Sequence, residues 1–174
     1  SLILRPTPRE REYIGLFSPL GALGVAAALS GLGLQPQIKW PNDVLLGRLK
    51  VCGILVESVW RGQELVALVI GIGVNVAPSS VPPPAELLYP AGCVETALGR
   101  PVEWTRLLRD ILAAIFEWRG RLGGQEFMEA WQSRLAFIGE RVSVSRLNAE
   151  PLDGVLLGVD DQGGLHLRLP DGEV

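Results

Sequence analysis

The amino-acid sequence predicts an α/β (α+β) fold, in which a mixed or antiparallel sheet backed by helices is followed by a small β-barrel. Two long runs of apolar and β-branched residues flank a turn at Arg61-Gly62 and predict a hairpin. Apolar residues follow the helical period over 103–122, and they alternate with other residues in short runs over 142–169. With 174 residues, 48% of them hydrophobic, the chain is long and apolar enough to bury a core.

The first part of the chain predicts short elements separated by prolines and glycines. Residues 2–4 form a short strand, and the two prolines that follow prevent further ladder pairing. Ser18-Pro19 supplies an N-cap and a first helical residue for a helix of small residues over 20–29. Short strands over 37–40 and 44–46 then lie on either side of a turn.

The middle of the chain predicts the two strands of the core hairpin and a connector. The strands over 51–60 and 65–76 are nearly continuously apolar, which favours a central position covered on both faces. Five prolines within 77–90 indicate a connector with no helix or strand of its own.

The last part of the chain predicts helices and then a meander of short strands. The three helices extend over 94–98, 103–122 and 126–135. Beyond residue 137 the pattern changes to strand-like alternation, with a turn over 148–151. We therefore expect two domains, a core over 1–137 and a β module over 138–174.

Composition excludes several classes of function. Sixteen basic and nineteen acidic residues give a formal charge of −3, without the basic excess of a general nucleic-acid binder. Cys52, Cys93 and His166 are the only cysteines and histidine, too few for a zinc site or a nucleophilic triad. We expect no metal site, no membrane-spanning or targeting segment, and a reducing, cytoplasmic environment.

A first candidate site is the run Lys39-Trp40-Pro41-Asn42-Asp43. It places a cation, an aromatic ring, a rigid corner, an amide and a carboxylate side by side in a mostly apolar chain. The purely structural alternative is an Asx-turn made by Asn42 and Asp43, with Lys39 a solvated charge.

Lys50 is a second candidate, at the start of the predicted hairpin strand. An ammonium at that point is a charge suited to a carboxylate or a phosphate. Gly53 removes a side chain three residues further on and leaves room for a ligand. The structural alternative is a lysine that protects a sheet edge, followed by an ordinary strand glycine.

The third candidate is the run Gly71-Ile72-Gly73-Val74-Asn75-Val76, at the end of the second hairpin strand. It is not a dinucleotide-binding motif, because the third glycine is absent and no helix follows directly. Two glycines permit something flat to approach the backbone, and Asn75 offers the donor and acceptor that a purine edge needs. The structural alternative is a β-bulge with Asn75 in a turn.

Together, the three motifs resemble the central core of the biotin protein ligases, also called biotin–[acetyl-CoA-carboxylase] ligases. Lys39–Val44, Lys50–Glu57 and Gly71–Val76 occur in the order and at the spacing of that family. The resemblance implies a class II synthetase-like core and an SH3-like C-terminal module. It also implies a two-step reaction in which biotin and ATP, with Mg²⁺, give biotinyl-5′-AMP and pyrophosphate. A lysine of a biotin carboxyl carrier protein then accepts the biotin.

The resemblance assigns roles to individual residues. Lys50 matches the strand lysine that contacts the biotin carboxylate and the phosphate, while Asn42 and Asp43 match the catalytic loop pair. Gly53, Ile54 and Leu55 match the floor of the biotin slot. The residues assigned to binding biotin or the nucleotide are Lys39, Trp40, Gly53, Ile54, Leu55, Gly71, Ile72, Gly73 and Asn75.

The sequence departs from the family pattern on its N-terminal side, and we also expect the C-terminal β module to end about one strand early. The glycine- and arginine-rich loop, GRGRxGR, lies in the family before the strand with which this chain opens. We therefore expect a fragment or an N-terminally deleted relative, which is a weak or inactive ligase if nothing replaces the loop. The alternatives are an impaired binding module without turnover and a related ligase acting on lipoate. No helix-turn-helix precedes the core, so we expect no DNA binding, and a homodimer through the sheet is compatible with the sequence.

Overall fold

A computed structural model describes residues 1–83, 85, 89–146 and 149–170, which form two antiparallel sheets and four α-helices. The strands are β1 (Leu2–Leu4), β2 (Pro36–Lys39), β3 (Asp43–Leu46), β4 (Leu49–Arg61), β5 (Glu64–Val74), β6 (Arg141–Arg146), β7 (Ala149–Val159) and β8 (Leu165–Arg168). The helices are α1 (Phe17–Gly31), α2 (Val94–Leu98), α3 (Trp104–Arg119) and α4 (Gln125–Gln132), with short 3₁₀ segments at Glu10–Leu16 and Pro78–Ser80.

The larger sheet has five strands in the order β1-β5-β4-β3-β2, and every neighbouring pair is antiparallel. The predicted hairpin is confirmed as β4 and β5, which pair from Cys52↔Val74 to Arg61↔Glu64. Its predicted cover on both faces is wrong, because Leu55 and Trp60 are 61% and 52% exposed. Helices cover one face, and they do not extend along the whole hairpin.

Helix α1 fills the space between the sheet and α3. A Cβ at Gly21 would lie 3.1 Å from Ile54 Cγ2, and one at Gly24 would meet Ile115 of α3. Small residues on α1 therefore allow close packing on two sides, and most of the helix is buried. The run Glu10–Gly31 is long and apolar enough to cross a membrane, but 67% of the apolar 18-residue window within it is buried, as in the core helix of this fold.

The predicted start of α1 at Ser18 is wrong. The helix begins at Phe17 as a continuation of the 3₁₀ segment Glu10–Leu16, and Leu16 occupies the N-cap without a side-chain hydrogen bond. The Ser18 hydroxyl instead donates to the carbonyl of Pro41, 3.2 Å away. Because the preceding turn already supplies helical carbonyl groups, a side-chain cap is not required at this end.

Helices α2, α3 and α4 confirm the three predicted helices, and α3 shows why a regular period is a strong signal. Leu107, Ile111 and Ile115 are buried on one face of α3. The Glu103 carboxylate caps its first turn by accepting from the backbone N–H groups of Thr105 and Arg106.

The predicted meander is a three-stranded sheet in the order β6-β7-β8. Its strand β7 begins at Ala149 and continues through Pro151, so the turn expected over 148–151 is partly strand, and Asn148 lies outside the described residues. The segment after α4 joins this sheet to the core: Ile38 N–H donates to Arg134, and Ala136 N–H donates to the Ile38 carbonyl.

Candidate active site

A buried carboxylate lies at the centre of the site. The side chain of Asp43, the first residue of β3, is only 7% exposed and lies between two lysines. Lys39 Nζ is 3.3 Å from one carboxylate oxygen, and Lys50 Nζ is 2.5 Å from the other. The Lys50 contact is an ion pair without the alignment of a hydrogen bond. One carboxylate against two ammonium groups leaves an excess positive charge for an anionic ligand.

A β-bulge brings Lys50 to this carboxylate. Val44 pairs with Cys52 and Leu45 pairs with Lys50, so Val51 is an extra residue in β4. In a regular strand Lys50 would share a face with Cys52, towards α1. The extra residue turns Lys50 to the opposite face, where Asp43 and Gly53 also lie.

Gly53 provides the space that the Lys50 side chain occupies. A Cβ at Gly53 would lie 3.2 Å from both Cε and Nζ of Lys50, and 3.6 Å from Asp43 Oδ1. The first distance is closer than ordinary van der Waals contact, so an alanine at this position would force the ammonium to move. Gly53 therefore positions Lys50, whose side chain lies over this part of the sheet.

Asn42 fixes the corner from which Asp43 projects. Its side-chain amide donates to the Ile54 carbonyl at 2.7 Å, and its own carbonyl accepts from the Ile54 N–H at 2.8 Å. These two bonds join the corner to β4 directly. The side chain of Asn42 therefore acts across strands, whereas the Asx-turn alternative has it closing its own turn.

The glycines and Leu55 share the face that carries the lysines. Gly53 pairs with Gly73, and Leu55 pairs with Gly71, so the four residues form one patch on the surface opposite to α1. We call these four residues, together with Asp43, the open face. Ile54 and Ile72 pair with each other and point to the opposite side, so only their backbones are near the open face.

Asn75 holds a short segment that supports Lys50. Its backbone N–H donates to Val51, and its side-chain amide donates to the Gly92 carbonyl at 3.1 Å. The Gly92 N–H in turn donates to the Lys50 carbonyl, and the Lys50 N–H donates to Pro90. Sequence reasoning missed this segment, since three residues after a proline-rich connector carry no strand signal.

The aromatic residues near the corner have partners within the protein. The Trp40 indole N–H donates to the Gly163 carbonyl at 2.9 Å, which links the corner to the turn between β7 and β8. Lys39 Nζ lies 5.3 Å from the centre of the Tyr89 ring, a cation–π distance. Tyr89 is a second residue that sequence reasoning missed, because the connector gives no indication of its fold.

The buried thiol beneath the site is unreactive. Burial and then the negative charge of Asp43 together raise the pKa of Cys52 to about 12, and Lys50 opposes the shift. Cys52 is therefore protonated at neutral pH and does not act as a nucleophile. Among the residues that the structure describes, no group of three or more His, Cys, Asp or Glu is placed to hold a metal ion.

A cavity of about 600 Å³ opens beside the corner, between the two sheets. Lys39, Trp40 and Tyr89 line one side of it, and Phe137 and Ser143 line the other. Arg48, also on its wall, makes a two-pronged contact with Glu140 at 2.8 and 3.1 Å, and that contact raises the pKa of Arg48. Of the three charged groups at the corner, Lys39 is the one that lines this cavity.

Comparison with known proteins gives the family. A model described as the biotin/lipoate A/B protein ligase family matches residues 1–75, and one described as the biotin protein ligase C terminal domain matches residues 137–174. The biotin–[acetyl-CoA-carboxylase] ligase of Paracoccus denitrificans is 35% identical over 99% of this chain and 74% of its own length. This chain belongs to the biotin protein ligase family.

Other members of the family agree in sequence and in fold. The bifunctional ligase/repressor BirA of Bacillus subtilis is 33% identical over 99% of the chain, which spans 54% of that longer protein. The solved structure of the Aquifex aeolicus biotin protein ligase in complex with biotin and ATP has a TM-score of 0.81 and 26% identity. That match covers 98% of this chain and 71% of the Aquifex chain.

Each of the two family models matches the part of the chain that contains one of the two sheets. The first family model ends at residue 75, so it contains all the residues that we assign to chemistry or to ligand binding. The second begins at residue 137 and contains the strands of the smaller sheet. The segment that supports Lys50 through Pro90 and Gly92 lies between the two matches.

Proposed function

We propose that this chain is a biotin protein ligase, which activates biotin with ATP and transfers it to a lysine of a biotin carboxyl carrier protein. The observation that supports it best is the Lys50 ammonium, 2.5 Å from the buried Asp43 carboxylate and beside Gly53. A positive charge fixed at this point suits a reaction between two anions, a carboxylate and a phosphate.

In the first step a biotin carboxylate oxygen attacks the α-phosphorus of ATP. A P–O bond forms, and the bond to pyrophosphate breaks. The Lys50 ammonium offsets the charge repulsion as the carboxylate approaches and stabilises the charge that develops on the phosphate oxygens. Asp43 holds the ammonium in place, so little reorganisation is required when the substrates bind.

In the second step the amine of a carrier lysine attacks the acyl carbon of biotinyl-5′-AMP. A C–N bond forms, the bond from the acyl carbon to the AMP oxygen breaks, and the proton that the amine loses passes to solvent water as AMP leaves. Asp43 is the carboxylate at this corner, and we propose that it orients the incoming amine. Asn42 keeps Asp43 at the corner through its bonds to Ile54.

The open face is proposed as the floor for the biotin ring. Gly53, Gly71 and Gly73 present backbone without side chains, and Leu55 gives the floor an apolar patch. Asn75 is proposed to read the adenine edge. Because the described residues hold no cluster of metal ligands, we propose that Mg²⁺ enters with the phosphates of ATP, and no step here depends on a protein ligand to it.

The wider setting follows the same proposal. The partner is a carrier domain bearing the acceptor lysine, in the cytoplasm, without binding to DNA. A homodimer through the larger sheet stays a prediction, and Leu55 and Ile3 are its most exposed apolar residues.

The test measures separately the product of each step, biotinyl-5′-AMP and the biotinylated carrier domain. The chain is incubated with biotin and Mg·ATP, and biotinyl-5′-AMP is measured by mass spectrometry, with an equal amount of lipoate as a competitor. We expect biotinyl-5′-AMP in preference to the lipoyl adenylate, and biotinylation when a carrier domain is added.

Calorimetry with biotin and with ATP on the same sample separates the alternatives. Binding of biotin without any adenylate would contradict catalysis and favour the binding module. Preference for lipoate would contradict the assignment of substrate.

A further inference from the structure

Three hydrogen-bonded contacts hold the corner that carries Asp43, and one of them comes from the β7–β8 turn of the smaller sheet. Ser18 of α1 donates to the Pro41 carbonyl, and Asn42 bonds to Ile54 of β4. The third contact is the Trp40 indole N–H, which donates to Gly163 of the smaller sheet. The first two anchors belong to the core, whereas the third is a direct contact between the second sheet and the corner.

Hydrogen bonds within the β7–β8 turn fix the position of Gly163, whose carbonyl is the acceptor of the third contact. Asp160 Oδ1 accepts from the backbone N–H groups of Gln162 and Gly164, both at 2.8 Å. The Gly163 N–H donates to the Asp160 carbonyl, and Gly163 has a φ of +90° that favours glycine. The Asp160 side chain therefore fixes the conformation of the turn in which the Gly163 carbonyl points at the indole.

We propose that Trp40 is a positioning residue for adenylation: through its hydrogen bond to Gly163, the β7–β8 turn holds the Lys39–Asp43 corner in register with Lys50. This inference rests on the proposed ligase function and deepens it. Trp40 lies between Lys39 and Pro41-Asn42-Asp43, so a shift of its ring moves both members of the Lys39–Asp43 ion pair. A small misplacement of the charges costs rate while leaving the apolar floor intact.

A contact between helix α4 of the core and the smaller sheet provides a matched control. Gln132 at the end of α4 bonds to the Leu157 carbonyl and to the Val159 N–H of β7. It joins the smaller sheet to the core as Trp40 does, but it has no contact with the corner. Gln132→Ala therefore loosens the docking of the sheet without removing the Trp40–Gly163 bond.

The experiment compares Trp40→Phe, Asp160→Ala, Asp160→Asn and Gln132→Ala in this chain. Phe keeps an aromatic ring and removes the N–H, and Asn keeps the Oδ1 acceptor that orders the turn. Single-turnover formation of biotinyl-5′-AMP, the Kd for biotin and the melting temperature are measured for each variant and for the double variant Trp40→Phe/Asp160→Ala.

We expect Trp40→Phe and Asp160→Ala each to slow adenylation by about tenfold, with the Kd for biotin changed by less than about twofold. The double variant should be little slower than either single one, because both changes remove the same contact. Asp160→Asn and Gln132→Ala should retain the wild-type rate.

Three results would overturn the inference while the proposed function stands. They are a wild-type rate in both Trp40→Phe and Asp160→Ala, independent effects that multiply in the double variant, or an equal loss in Gln132→Ala. Should Trp40→Phe fail to fold, the two Asp160 variants still decide the outcome. If the wild-type chain forms no biotinyl-5′-AMP, the proposed function fails and the inference fails with it.

Discussion

At the scale of the residue, the extra Val51 in β4 decides which face of the sheet receives the Lys50 ammonium. Lys50 and Gly53 are three positions apart, and in a regular strand they would lie on opposite faces. The bulge places them on one face, and Asp43 reaches both from β3. A single inserted residue thus converts a strand terminus into a charged site on a side-chain-free surface.

This arrangement predicts that Gly53→Ala impairs the lysine itself. The added methyl would lie 3.2 Å from Lys50 Nζ and push the ammonium away from Asp43. We expect adenylation to fall by about ten- to a hundredfold, because the positive charge is misplaced at the reacting phosphate. The measurement is the single-turnover rate of biotinyl-5′-AMP formation at saturating substrates.

Gly31→Ala is the matched control for this change. A Cβ there meets nothing within 4 Å, and we expect the wild-type rate. Full activity of Gly53→Ala at saturating biotin would show that the contact with Lys50 is unimportant.

The residues of the site were predictable individually, but their geometry was not. Lys50, Asp43 and Asn42 stand out as polar groups in an apolar chain, and the resemblance to biotin protein ligases gave them roles. Alternation along β4 alone would have separated Lys50 from Gly53, since a bulge leaves no clear mark in one sequence. The partner of Trp40 lies 123 positions away, and no local pattern indicates such a contact.

At the scale of the element, the segment Pro90–Gly92 extends the larger sheet beside Lys50. It bonds to both backbone groups of Lys50, and Asn75 holds it through the Gly92 carbonyl. Asn75 therefore has a structural contact in addition to the proposed recognition of adenine.

Asn75→Ala tests that contact. Removing the amide leaves the Gly92 carbonyl without this donor, and we expect a loss of about 1 kcal/mol in the free energy of unfolding. The adenylation rate at saturating ATP should fall as well, because the backbone of Lys50 is less constrained. Urea denaturation and single-turnover rates over a range of ATP concentrations measure the two effects.

Each role of Asn75 leaves a different signature in these measurements. A raised KM for ATP, with unchanged stability and an unchanged saturating rate, would contradict the structural role and leave recognition of adenine as the only one.

The sequence predicted the positions of the strands and helices more accurately than it predicted which of their faces are buried. Periodicity over 103–122 and the turn at Arg61-Gly62 gave α3 and the β4–β5 hairpin, because one face of each packs on the core. The apolar run of β4 suggested cover on both faces, yet Leu55 and Trp60 are exposed. Whether a second layer covers an apolar strand depends on distant segments, which the pattern of the strand does not contain.

At the scale of the whole molecule, a partly buried ion pair connects the start of the chain to α3. Arg119 makes two bonds to the Glu10 carboxylate, at 2.6 and 2.9 Å, and a third to the Arg5 carbonyl. Glu10 also accepts from the Thr7 N–H. The bonds from Arg119, and then those from Thr7, lower the pKa of Glu10 from 4.5 to about 2.

The lowered pKa predicts a pH-dependent contribution to stability. A carboxyl of this kind stabilises the fold above its ordinary pKa of 4.5, and the contribution is lost as the pH falls towards about 2. Glu10→Gln should therefore lower the free energy of unfolding by about 2 kcal/mol at pH 7. The difference from wild type should disappear between pH 4.5 and 2, as measured by urea denaturation across that range.

Glu64→Gln is the matched control, since Glu64 pairs with Arg11 at 3.6 Å with its side chain 59% exposed. That change should cost less than about 0.5 kcal/mol at any pH. Equal effects of the two substitutions, or a Glu10→Gln difference that persists at pH 2, would contradict the role of the Glu10–Arg119 pair.

One lysine carries the proposed chemistry, and the most direct measurement of its role is the single-turnover rate of biotinyl-5′-AMP formation by Lys50→Met. We predict a loss of at least about a thousandfold, with the melting temperature close to that of the wild type. Lys39→Met, which removes the other cation beside Asp43, should cost only about tenfold, because Lys39 lies further from the carboxylate. A folded Lys50→Met variant that forms the adenylate at the wild-type rate would contradict the role of this lysine and the proposed chemistry with it.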